Sequence, residues 1–236
     1  MQHYDFKNKI SIISRANAGD VSVDSLGVFE QAAAAKADFI ETPVRETRSG
    51  GLMCSVASGR DVALDEALDW SKDRVPLVLE VVNGRPGAAN RVLNAARRHN
   101  VQDHVVLAVH SVRQAREITH NDENVTILGM LAQPQDYPAF YKAGGHIARL
   151  WEGDLTPGNL RVAENGVGSQ RRPVWAMAGF YPNDRIRKYG EADLRDLFSM
   201  MSKGVRGVIV NDAGLAREAL RQRQAPQPAC GSFAVD

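Results

Sequence analysis

The sequence predicts an α/β chain folded as a (β/α)8 barrel, and three observations carry that expectation. Strand-like and helix-like patterns alternate from end to end, as repeated βα units on a parallel sheet do. Eight of these segments read as strands. The 236 residues match one barrel without a second domain. A doubly wound open sheet is the structural alternative. The expected organisation is a single barrel over residues 1–225 and a flexible tail over 226–236, a stretch rich in Pro and Gly with little to bury.

The elements follow in order. The first strand is expected at 10–16 and the first helix at 24–37, where Leu26, Phe29, Ala33 and Ala37 recur at helical spacing. A strand at 39–46 leads to a Gly50-Gly51 turn, a short apolar piece at 52–54 and a helix at 63–72. The run 76–82 is apolar apart from Glu80, as a parallel strand covered on both faces should be. Helix 86–100, strand 104–110, helix 111–120, strand 126–132 and helical turns at 136–143 come next. Strand 146–152 precedes Thr156-Pro157, an N-cap followed by a first-turn proline, and Asn165-Gly166 ends that helix. Strand 172–178, helix 191–203, strand 205–211 and helix 213–223 complete the chain.

The strand at 39–46 places charge where charge is expensive. Side chains alternate across a strand, so Glu41, Pro43 and Arg45 share one face and Ile40, Thr42 and Val44 the other. With Ile40 and Val44 packed outward against helices, Glu41 and Arg45 project inward, where an unpaired carboxylate costs several kcal/mol. The same alternation turns Glu80, His110, Arg149 and Trp151 inward from their strands, with Leu77, Leu79, Val81, Val105, Leu107, Val109, Ala148 and Leu150 facing out. Barrel chemistry sits at the C-terminal ends of the strands. The candidate site is therefore Glu41, Glu80 and His110 for acid/base work, with Ser14, Arg15, Arg45, Arg149, Trp151, Trp175 and Met177 touching the substrate.

Bulk composition narrows the partners. The net charge is +1, from 29 basic and 28 acidic residues spread along the chain, which offers no broad basic footprint for nucleic acid. No apolar run approaches the roughly 18–20 residues that cross a bilayer, and the N-terminus lacks the apolar core of a signal peptide. A cytoplasmic protein without membrane insertion is expected, and its two cysteines, Cys54 and Cys230, do not suggest a disulfide framework.

Several blocks, in order and spacing, resemble the glycerophosphodiester phosphodiesterase family, whose fold is a (β/α)8 barrel. Ser14-Arg15-Ala16 stands where that family has His-Arg-Gly, and Val23-Asp24-Ser25-Leu26 where it opens its first helix. The stretch from Lys36 to Val44, including Asp38, Ile40 and Glu41, is similar to its Gly-Ala-Asp-x-Ile-Glu-x-Asp-Val, and Leu79-Glu80-Val81-Val82 to its x-Glu-x-Lys strand. Arg149-Leu150-Trp151-Glu152, Pro173-Val174-Trp175 and the stretch from Gly204 to Asp212 resemble late strands of bacterial members. The resemblance implies two histidines for acid/base work on a phosphodiester and a divalent cation held by two glutamates and an aspartate. Glu41 and Glu80 match the two glutamates, and Arg15 the strand-one arginine.

The departures fall on the chemistry. Ser14 replaces the first histidine, Pro43 the aspartate and Val82 the third-strand lysine, while the second histidine position falls in Ser55-Val56-Ala57. Serine cannot shuttle protons near neutrality without a base beside it, so the family's usual hydrolysis is expected to be absent or feeble. Glu41 and Glu80 either hold Mg²⁺ or Ca²⁺ loosely or pair with Arg15, Arg45 or Arg149, in which case no cofactor is needed. Two functional classes follow: a repurposed enzyme, isomerase, lyase or cyclase, acting on a small polar or anionic molecule, and a non-catalytic protein that binds a ligand or a partner. A weak metal-dependent phosphodiesterase is the third reading.

Overall fold

In the computed structural model, residues 9–16, 26–56, 59–82, 86–165, 171–179 and 189–225 are described; the expected tail at 226–236 lies outside them. Eight parallel strands alternate with helices. In order they are β1 (Ser11–Arg15), α1 (Gly27–Ala34), β2 (Phe39–Glu46), β3 (Leu52–Cys54), β4 (Val62–Ala63), α2 (Leu64–Ser71), β5 (Leu77–Val81) and α3 (Ala88–Arg98). Then come β6 (Val105–Val109), α4 (Val112–Asn121), β7 (Thr126–Gly129), α5 (Tyr137–Lys142), β8 (Ile147–Trp151), α6 (Pro157–Glu164), β9 (Val174–Met177), α7 (Leu194–Ser202), β10 (Gly207–Val210) and α8 (Ala213–Gln224).

The sheet runs β1-β10-β9-β8-β7-β6-β5-β2, and a further β1–β2 pairing closes the ring. The open-sheet alternative is thereby excluded. Strands β3 and β4 stand outside the ring: β2 runs on past the barrel and pairs antiparallel with β3, Arg45 opposite Met53, and β3 with β4.

Local chemistry sets the element ends. Ser111 caps α4 by accepting the Gln114 N–H at 3.2 Å, and Thr156 caps α6 from Asn159 at 3.2 Å with Pro157 in the first turn. Helix α7 starts at Leu194 rather than 191 because Asp193 and Asp196 form a reciprocal capping box there. His104 belongs to a 3-10 turn, Gln102–His104, so β6 begins one residue later than the apolar pattern suggests.

Two apolar layers follow from strand alternation. Ile12, Ile40, Leu77, Leu79, Leu107, Ile127, Leu150 and Val208 pack outward against the helices. Ile13, Phe39, Val78, Val106, Leu128, Ile147, Trp175 and Ile209 fill the barrel. Two residues further along these inward-facing rows stand Arg15, Glu41, Glu80, Ala108, Met130, Arg149, Met177 and Asn211. The apolar plug thus gives way to a charged level at the C-terminal end.

Candidate functional site

Glu41 is completely buried. Its neighbour in the register is Arg15, whose Nε lies 3.2 Å from Glu41 Oε2. Glu41 Oε1 has no hydrogen-bond partner among the described residues. Burial, with the Glu80 charge nearby, outweighs Arg15 and pushes the Glu41 carboxyl up to about 8, so near neutral pH its proton stays on.

Glu80 behaves in the opposite way. It sits beside Pro43 in the register, and its Oε1 lies 2.9 Å from His110 Nε2. Burial would raise its pKa, but the His110 hydrogen bond, the adjacent Glu41 carboxyl and the charges of His110 and Arg15 together lower it. Two carboxyls on neighbouring strands are thus held apart in proton affinity, one neutral and buried, one ionised and bound to an imidazole at the rim. An ionised Glu80 requires the hydrogen on His110 Nε2, which leaves Nδ1 as the basic nitrogen.

Arg149 is buried, and its Nε and Nη1 have no hydrogen-bond partner among the described residues. Burial lowers its pKa, while Tyr137, Glu80, Asp154 and Glu41 hold it up. Its guanidinium carbon lies 4.4 Å from the centre of the Trp151 ring, and that indole packs on Tyr189 with ring centres 5.2 Å apart. Met177 is buried on the same level, opposite Trp151 in the register.

The structure brings together Arg15, Glu41, Glu80, His110, Arg149, Trp151 and Met177. Three expected members lie elsewhere. Arg45 is on the β2 extension, where it pairs with Asp61 and is largely exposed; the antiparallel hairpin carries this end of β2 away from the interior. Trp175 is fully buried in the apolar plug, its indole lying against Gly207, where a Cβ would sit 2.6 Å from Trp175 Cδ1. It fills the barrel rather than the mouth. Ser14 is in register with Ile40 and Val210, both of the outer layer, so its strand position directs it away from the acid/base groups.

Sequence reasoning missed two contributors. Tyr189 supplies a carbonyl that accepts from Arg15 Nη1 at 2.8 Å. Tyr137 accepts the Arg149 N–H at 3.1 Å and lies 3.0 Å from the Gly129 carbonyl, which ties β8 to β7 beneath the site. A backbone carbonyl in a loop and a tyrosine in a short helix carry no periodic signal.

The donor set does not fit a divalent cation. Arg15 and His110 already pair with Glu41 and Glu80, position 43 is proline where a third carboxylate would be needed, and Arg149 adds a further positive charge. Among the described residues no three His, Cys, Asp or Glu side chains converge as ligands. No helix among the described residues is long and apolar enough to cross a membrane.

No family model matches the chain, and no curated protein matches it in sequence. Solved structures do match. A glycerophosphoryl diester phosphodiesterase from Parabacteroides distasonis superposes with a TM-score of 0.71 at 14% identity, over 96% of this chain and 92% of that one. A glycerophosphodiester phosphodiesterase from Agrobacterium tumefaciens gives 0.65 at 13%, over 88% and 99%. A phosphodiesterase from Oleispira antarctica, in complex with the product sn-glycerol-3-phosphate, gives 0.64 at 10%, over 89% and 96%. At these identities the likeness establishes the fold: the chain is a barrel of the glycerophosphodiester phosphodiesterase type.

Proposed function

We propose that the barrel mouth binds a small anionic molecule and transforms it by cation-independent acid/base chemistry, as an isomerase, lyase or cyclase. The observation that carries this reading is the position of Glu80, between a neutral buried Glu41 and the imidazole of His110 at 2.9 Å. Neighbouring carboxyls with divergent proton affinities in a cleft mark acid/base sites. Glu80 orients the His110 imidazole through its bond to Nε2. His110, partly exposed, takes a proton through Nδ1 and returns it. Glu41 is fully buried and acts only by holding Glu80 ionised. Arg149 and Arg15 supply the positive field for the anion, and the sn-glycerol-3-phosphate held by the Oleispira protein supports an anionic ligand. Serine at 14 and proline at 43, where the resembled family has a histidine and an aspartate, favour chemistry other than phosphodiester hydrolysis.

The pairing of each carboxyl with a cation, Arg15 with Glu41 and His110 with Glu80, favours a second reading, ligand binding without turnover. One experiment separates them. Small phosphate and carboxylate compounds are screened by thermal shift with EDTA and, in parallel, with Mg²⁺ or Ca²⁺, and each binder is incubated with the protein in D₂O and followed by NMR. Turnover or deuterium incorporation that His110→Gln removes, with affinity retained, supports the enzyme. Binding with no exchange supports the second reading. Binding that needs Mg²⁺ or Ca²⁺ and vanishes in Glu80→Gln overturns both.

A further inference from the structure

A polar cavity lies at the N-terminal end of the barrel, opposite the mouth, between α4 and the turn that joins α5 to β8. Its volume is about 470 Å³, and Arg116, Thr119, His120, Glu123, Lys142 and His146 line it together with the Ala143-Gly144 backbone. Pockets that take small organic ligands span roughly 300–1,000 Å³.

Three notches between neighbouring helices on this face are pinned by arginines that bond helix-end carbonyls. Arg97 of α3 donates to the Asn121 carbonyl at the end of α4 at 2.9 Å and to Asp122 at 2.8 Å. Arg217 of α8 donates to the Lys36 carbonyl after α1 at 2.7 Å and pairs with Asp38. Arg223 of α8 donates to the Met201 carbonyl in α7 at 2.7 Å. In the α4–α5 notch the helix-end carbonyls are capped by other groups. Thr119 Oγ1 donates to the Ala143 carbonyl at 3.0 Å, Asn121 Nδ2 to Glu117, and the Asp122, Gly144 and Gly145 amides to Ile118, Tyr141 and Phe140. Basic side chains near helix C-termini commonly serve to offset the helix dipole. Here Arg116 lies in the body of its helix, and among the described residues neither it nor Lys142 is consumed by a carbonyl or a carboxylate.

The donors point one way chemically. His146 Nδ1 accepts the Ile127 N–H at 3.2 Å, and burial together with the Arg172 charge lowers its pKa. The imidazole is therefore neutral, with its hydrogen on Nε2. The cavity offers a guanidinium, an ammonium and an imidazole N–H against one carboxylate, Glu123, which is a complement for several acceptor oxygens on one small molecule.

From this arrangement we infer a binding site for a small phosphate-bearing molecule on the N-terminal face, separate from the mouth. The test is titration of the full chain with inorganic phosphate and with pyrophosphate, read by amide NMR at about 0.15 M salt, where the Debye length is about 8 Å. Saturable shifts are expected at Gly144 and Gly145. Arg116→Gln and Lys142→Gln should each weaken binding by about fivefold, and Glu123→Gln should strengthen it. These side chains are exposed, so each variant should keep wild-type unfolding behaviour. Equal affinity in wild type and in both cation variants, shifts confined to Arg15 and His110, or no saturable shift would each overturn the site.

Discussion

The guanidinium of Arg149 lies over the indole of Trp151 at 4.4 Å, buried and, among the described residues, without a hydrogen bond at Nε or Nη1. A buried charge held by a ring face and by carboxylates at longer range is expensive, so its retention reads as a cost carried for the ligand. Arg149→Met keeps the volume and removes the desolvation cost. The expected result in urea unfolding is stability unchanged or raised by about 1–3 kcal/mol, with anion binding at the mouth lost. A fall of about 2 kcal/mol or more would show that Arg149 is the structural counter-ion of Glu80 and Glu41.

Glu41 and Glu80 should respond differently to the same substitution. Glutamine copies a protonated carboxyl, so Glu41→Gln should change stability near neutral pH by less than about 1 kcal/mol. Glu80→Gln removes the ionised partner of His110 and should cost about 1.5–3 kcal/mol, the usual range for a hydrogen bond to a charged group. Chemical denaturation of the two variants side by side reads the order. A larger loss for Glu41→Gln would mean that Glu41 is the ionised member of the pair.

The barrel was legible because period-2 alternation and the βα rhythm are local signals. Every inward or outward assignment on β5, β6 and β8 follows from them, and so do Glu41 and Glu80. Arg45 was not legible, because whether a strand stays in the ring or leaves it as a hairpin depends on what it pairs with, and Asp61 lies sixteen residues further on. Trp175 belongs to the same interior row as Met177 but lies two residues deeper along β9, and the room its indole needs there comes from the missing side chain of Gly207 across the register, which the spacing within one strand does not show. Ser14 stands at the end of its strand, as the barrel rule for site residues asks, but it shares the outward face of Ile12 and not the inward face of Ile13. The partners of Arg15 and Arg149, a loop carbonyl and a helix tyrosine, are long-range contacts that no spacing announces.

Asp38 gives a pH signature to the end of the barrel opposite the site. Its carboxylate accepts the Ile12 N–H at 2.8 Å and pairs with Lys9 at 2.8 Å and Arg217 at 2.7 Å. Burial would raise its pKa, but these three partners outweigh it and hold the carboxyl below its ordinary value. A carboxyl depressed in the folded state binds fewer protons there than in the unfolded chain. Its contribution is therefore complete above the unfolded value of about 3.9 and is lost as pH falls through the folded one. Asp38→Asn should cost about 1–3 kcal/mol at pH 7, and the gap from wild type should close in acid. A gap that stays constant down to the acid transition would show that the side chain acts by shape and not by charge.

Gly190 controls the site from the loop before α7. Its φ is +80°, and a Cβ there would sit 2.0 Å from Asn211 Oδ1 and 3.0 Å from Arg15 Cδ. Its N–H donates to the Ala178 carbonyl at 2.7 Å and its carbonyl accepts from Asn211 at 2.8 Å, so the backbone is stitched between β9 and β10 and cannot retreat. Alanine would carry the left-handed cost of roughly 1–2 kcal/mol and would also force Asn211 or Arg15 to move. Because Arg15 Nε is the direct partner of Glu41, the displacement reaches the buried carboxyl. The expected outcome for Gly190→Ala is a loss of about 2–4 kcal/mol together with a shifted Arg15 Nε–H resonance. Wild-type stability with an unmoved resonance would mean that this loop is not seated against Arg15.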